Sequence, residues 1–185
     1  MAFQQRATRP MKFLIPTLAR WLHSVALSVW LGGLLAIGAL VAPKAFAVLR
    51  GSPLLTLPQA NTLAGHVVGD SLALFAIVTY GCGALLLLSN ILLLPYANRP
   101  LVIRSLLISG LLLGSALLLG LVLTPAMDAA RMKGDLITFD RLHHLYERTS
   151  TLVQFPLLLL LAWIGALRDG LPSLPSAPLP APRRR

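Results

Sequence analysis

The residues of this chain whose chemistry reaches beyond packing are four histidines and six carboxylates, and their spacing sorts them into groups. His66 and Asp70 stand four apart, as do His143 and Glu147, while His144 precedes Glu147 by three. On helices, residues at these separations share a face. Imidazole and carboxylate groups projecting together from two helices of a bundle bind divalent cations. His66, Asp70, His143, His144 and Glu147 are therefore a speculative metal set, and no cofactor is expected beyond that divalent ion. The competing expectation is a set of solvated ion pairs, which contribute little at a surface.

His23 stands apart from these, inside an uncharged apolar run. An ionisable group at membrane depth is costly, which makes it a functional candidate. It can also sit neutral, hydrogen-bonded to a backbone carbonyl or to Ser24 or Ser28. A haem-holding oxidoreductase would need two axial ligands at one depth. His23 has no evident partner at its own level, so that reading ranks last. The single cysteine, Cys82, excludes intramolecular disulfides and thiol-rich metal cages. No GxSxG, HExxH or GxxxxGK[ST] pattern occurs, and no chain of acids runs through the apolar segments. An enzyme is not expected.

The elements that must position these groups follow from composition. Hydrophobic residues make up 56% and charged residues 12%, against roughly 25% charged in soluble domains. Such a chain needs lipid around it. Four apolar runs, uncharged between Arg20 and Lys44, Asp70 and Arg99, Arg104 and Asp128, and Arg148 and Arg168, approach the roughly 20 residues that cross a bilayer and give spans at about 17–42, 71–95, 102–124 and 149–167. Their Leu-rich, non-alternating pattern excludes barrel strands, so the expected class is all-α, a polytopic four-transmembrane-helix bundle. The first run is longer than the apolar core of a cleaved leader and suits a span better. Pro43, Pro95 and Pro125 fall near expected helix ends, where a missing amide donor costs least, whereas Pro156 predicts a kink or a late start in the last span.

Residues 1–13 read as an amino-terminal tail, 14–169 as the membrane domain, and 170–185 as a disordered Pro-rich basic tail. Ten of the sixteen basic residues fall on the side of the two termini and six on the other. By the positive-inside rule, both termini are expected in the cytoplasm, in a bacterial plasma (inner) membrane. The formal charge of +10 is thereby spread between apolar runs and does not indicate nucleic acid. Gly110 and Gly114 form a GxxxG pattern, which lets helices approach closely within one bundle or between copies. Asn90, a polar residue within the second run, predicts an interhelical hydrogen bond.

Five segments in order carry a resemblance: LHSVALSVWLGG at 22–33, VAPKAF at 41–46, AGHVVGD at 64–70, LTPAMDAAR at 123–131 and FDRLHHLYERTSTL at 139–152. Together they resemble the transmembrane protein 205-like family of small four-span proteins, over about residues 22–167. The resemblance places His23 on the first-span histidine, Pro125 and Asp128 on the third-span exit, and His143 or His144 on the histidine before the last span. His23 and Asp128 thus become the candidate functional polar residues. Gln154 departs from the pattern, in a region where many relatives carry asparagine. The first-span histidine and tryptophan also show a fainter likeness to copper-resistance D-type membrane proteins. The leading expectation is a non-catalytic structural or partner-binding module whose partners are the lipid bilayer and a second copy or another membrane protein. The alternative is metal-ion or small-solute handling through the bundle.

Overall fold

A computed structural model describes residues 9–170, all helix and connecting turn, with no strand among them. The amino-terminal residues 1–8 and the Pro-rich tail beyond Gly170 lie outside the described residues. Four helices are long and apolar enough to cross a membrane: Phe13–Arg50, Leu57–Leu93, Arg99–Met132 and Leu136–Asp169. The all-α four-span class expected from composition is the fold observed. In hydrocarbon a backbone must satisfy its own polar groups, and Leu-rich runs with few β-branched residues do so as helices.

The first long helix comprises α1 (Arg9–Leu35), a π segment (Ala36–Val41) and α2 (Ala42–Arg50). α3 is Leu57–Leu93. The third comprises α4 (Arg99–Leu117), a π segment (Leu118–Leu123) and α5 (Thr124–Met132). The fourth comprises α6 (Leu136–Arg148), a π segment (Thr149–Gln154) and α7 (Phe155–Gly170). The π segments correct the expected helix ends, because the chain runs through Pro43 and Pro125 as helix. Each segment ends two residues before a proline, at Pro43, Pro125 and Pro156. A proline ring clashes with the carbonyl four residues back and donates no bond to it. Widening the preceding turn removes the clash: Ala42, Thr124 and Phe155 instead donate to the carbonyls of Ile37, Leu119 and Ser150, five residues back. Of the three prolines expected at helix ends, only Pro95 sits in a turn.

The turns carry their own signals. Thr56 and Gln59 form a capping box that starts α3. Gly134, at φ +70°, is the one residue of positive φ among those described, and only glycine takes that conformation without strain. It lets Asp135 cap α6 by accepting from the Thr138 amide at 3.0 Å.

The helices close into a ring: α1 and α2 pack on α3, α3 on α4, α4 on α7, and α7 returns to α1 along the slimmest seam. Trp30, Leu86, Leu112, Leu158 and Leu161 fill the centre and are fully buried. Gly33, Gly83 and Gly120 admit Phe75, Leu113 and Tyr80 from neighbouring helices, positions where a Cβ would collide. Helices of 34 to 38 residues are about 50–57 Å long at about 1.5 Å per residue, against a hydrocarbon core of about 30 Å. Counting about 20 residues from Arg20, Arg104 and Arg168 reaches the three π segments, so α2, α5 and α6 extend past the far boundary.

Candidate functional site

Most of the interior polar side chains, His23, Ser89, Asn90, Ser105, Ser109 and Arg168, collect at one end of the ring. His23 projects from α1 at 2% exposure, and its Nδ1 lies 3.2 Å from Ser89 Oγ on α3. Ser89 spends its own proton on the Leu86 carbonyl at 2.9 Å. With that proton on the Leu86 carbonyl, Ser89 Oγ accepts from His23 Nδ1, and in this tautomer Nε2 carries the lone pair. His23 Nε2 is buried and has no hydrogen-bond partner among the described residues. The expected bond to Ser24, Ser28 or a carbonyl is replaced by one to a different helix. Ser24 and Ser28 instead line a cleft beside the imidazole.

Asn90, the next residue on α3, is fully buried. Its amide donates to the Leu86 carbonyl at 2.9 Å and to Ser109 Oγ on α4 at 3.1 Å, as the expected interhelical bond requires. Ser109 passes its proton to the Ser105 carbonyl at 2.8 Å. Asn90 Oδ1 accepts from Arg168 Nη1 on α7 at 3.4 Å. The Arg168 side chain is only 1% exposed, and Nε and Nη2 donate to the two carboxylate oxygens of Asp169 at 3.1 and 3.2 Å. Arg20 Nε, from α1, reaches the same carboxylate at 3.1 Å. Four helices are thus joined through one connected set of polar groups. Further along, Gln154 donates to Ser115 at 3.2 Å and ties the fourth long helix to α4.

Beside His23, between α1 and α7, lies an open cleft of about 280 Å³, lined by Ser24, Leu27, Ser28, Ala162, Gly165 and the Arg168–Asp169 pair. A Cβ at Gly165 would stand 3.8 Å from His23 Nε2, so the unpartnered nitrogen borders the space that this glycine leaves.

The five residues of the speculative metal set are not gathered. Among the described residues, no group of three or more His, Cys, Asp or Glu side chains is disposed to hold a metal ion. His143 pairs with Glu147 at 3.2 Å, and His144 with Glu147 at 3.1 Å and Asp140 at 3.6 Å, all along exposed α6. His66 accepts from Arg131 at 3.4 Å, and a cation there repels another. Asp70 and Asp128 are exposed on α3 and α5. Gly110 and Gly114 are exposed on α4, and a Cβ at either would meet nothing within 4 Å. Bundle packing therefore falls to Gly33, Gly83 and Gly120 instead.

Arg20 and Arg168 were legible only as boundary charges, and Asp169 was not singled out. Their signal was an Arg-Asp doublet abutting an apolar run, matched by Ser89-Asn90 and by Ser105 and Ser109 one turn apart.

A family model described as Domain of unknown function (DUF4149) matches residues 25–135. The match spans α1 from Val25 through α5 and includes Ser89, Asn90 and Ser109; His23 and Arg168 lie outside it. No curated protein matches the chain, and no solved structure does.

Proposed function

The chain belongs to the family described as Domain of unknown function (DUF4149), and on that footing we propose that it is a non-catalytic integral membrane module that binds a protein partner through the exposed glycine face of α4. The observation that carries this reading is the division of glycines. Gly33, Gly83 and Gly120 are filled by neighbours from the same chain, while Gly110 and Gly114, open like Gly32, Gly38, Gly65, Gly69 and Gly81, are set apart by their GxxxG spacing inside an expected span, between the exposed side chains of Leu107, Leu111 and Leu118. In lipid, association depends on close backbone approach, because hydrocarbon supplies no hydrophobic drive. The buried polar groups support the structural half of the reading, since their connected bonds join α1, α3, α4 and α7 across one end of the bundle.

The partner is a second copy of this chain or another membrane protein. The transmembrane protein 205-like resemblance, a bacterial plasma membrane and cytoplasmic termini belong to the same proposal, supported by the five ordered motifs and the excess of basic residues on the side of Arg20, Arg104 and Arg168. Gly110→Cys and Gly114→Cys chains, labelled with a photoreactive maleimide in native membranes, should give an adduct of defined mass. Leu74→Cys, exposed on α3, serves as background. No adduct above that background at either glycine position would sink the proposal.

Small-solute handling has one observation in its favour, the unpartnered His23 Nε2 beside its cleft. Haem has none: His66, His143 and His144 stand beyond the opposite end of the bundle from His23.

A further inference from the structure

The cleft between α1 and α7 combines three features that the bundle itself does not use. First, His23 Nε2 is buried without a partner among the described residues, and it is an acceptor in the tautomer in which Nδ1 donates to Ser89 and Ser89 to Leu86. A buried acceptor without a donor is destabilising until something donates to it. Second, Arg20 and Arg168 share a single carboxylate, Asp169. One positive charge remains uncompensated, and Arg20 is 44% exposed to receive an anion. Third, the cleft lies within about one helical turn of Arg20, at the depth where headgroups meet acyl chains, and its other walls are Leu27, Ala162 and Ala166. It opens through the slimmest seam of the ring.

We propose that this cleft holds a phospholipid headgroup, its phosphate against the surplus charge of Arg20 and Arg168 and its distal amine or hydroxyl donating to His23 Nε2. Water alone would satisfy the imidazole but would leave two guanidiniums on one carboxylate. A phosphodiester with a donor at its far end answers both demands. Ethanolamine supplies that donor as an ammonium and glycerol as a hydroxyl, whereas choline has no N–H or O–H to give. Gly165 leaves the space through which the donor reaches Nε2.

The test uses the full chain in nanodiscs of equal phosphatidylethanolamine, phosphatidylglycerol and phosphatidylcholine, with retained lipid read by native mass spectrometry. Ethanolamine or glycerol lipid should be retained about fivefold over choline lipid, the scale of one net hydrogen bond. Whichever of the two is enriched identifies the donor as amine or hydroxyl. His23→Ala and Gly165→Val should return retention to the bulk ratio with helicity unchanged by circular dichroism. If Gly165→Val fails to fold, Gly165→Ala, whose Cβ makes only ordinary contact with His23, should still reduce the preference. Equal retention of choline lipid, or a preference that survives both His23→Ala and a folded Gly165 variant, would overturn the proposal.

Discussion

Asn90 shows how much one side chain can hold in an interior with few polar groups. Its amide links α3 to α4 through Ser109, and its carbonyl oxygen links α3 to α7 through Arg168. Asn90→Leu removes both links and leaves the buried Arg168 Nη1 without that acceptor, so it should destabilise the bundle by about 1–2 kcal/mol. Ser109→Ala, which removes only one partner, should cost about half as much. Unfolding in mixed micelles followed by far-ultraviolet circular dichroism would measure both; equal effects would place the energy elsewhere than the Arg168 link. The need of Asn90 for a partner was legible in the sequence, because an amide in hydrocarbon must find one. Which residue answered was not, because Ser109 and Arg168 lie 19 and 78 positions away. His23 shows the same limit: its burial was legible, but its bond to Ser89 depends on how α1 and α3 face one another.

At the scale of elements, prolines and caps shape the helices more than the apolar pattern does. Pro43, Pro125 and Pro156 suggested ends or kinks because a proline removes a donor, yet the π segments absorb each one and the helices continue into polar extensions. The proline positions do not distinguish these outcomes, since each removes the same amide donor whether the helix ends there or widens around it. The turn between α5 and α6 is better determined. Hydrogen bonds from the Thr138 hydroxyl and then its amide hold the Asp135 carboxyl below the usual carboxylate range. The cap is therefore fully present above the ordinary aspartate value of about 3.9. It is lost as pH falls through the lower folded value. Titration of the Thr138 amide proton by nuclear magnetic resonance should show its midpoint below that of free aspartate, and Asp135→Asn should abolish the transition.

For the whole molecule, the ring of four helices sets His23, Arg20, Arg168 and Asp169 at one end and the exposed pairs of α6 at the other. If the end bearing Arg20, Arg104 and Arg168 faces the cytoplasm, a tag placed after Arg185 should resist external protease in intact cells, while a tag inserted at Gly134 should be cleaved. The reverse pattern would invert the assignment. The extensions formed by α2, α5 and α6 carry exposed Val48, Met132 and Ile137, and the turn after α2 carries exposed Leu54, beyond the expected hydrocarbon boundary. That end is therefore not simply a polar cap. The histidine and acid pairs there were legible as pairs, because i, i+3 and i, i+4 spacing is a property of a single helix.

What the sequence determined by itself is whatever depends on one helix at a time: four spans, their Leu-rich helicity, the local pairs on α6 and the excess of basic charge at one end. Local geometry and the transfer of apolar groups out of water act without reference to neighbouring helices. Only the tertiary structure decided which glycines were filled and which left open. It also decided that His66 would face Arg131 rather than the α6 histidines, and that Arg168 would turn inward to Asn90. These outcomes depend on the rotation and depth of each helix against the next. Packing and interhelical hydrogen bonds set those together, and no single span encodes them.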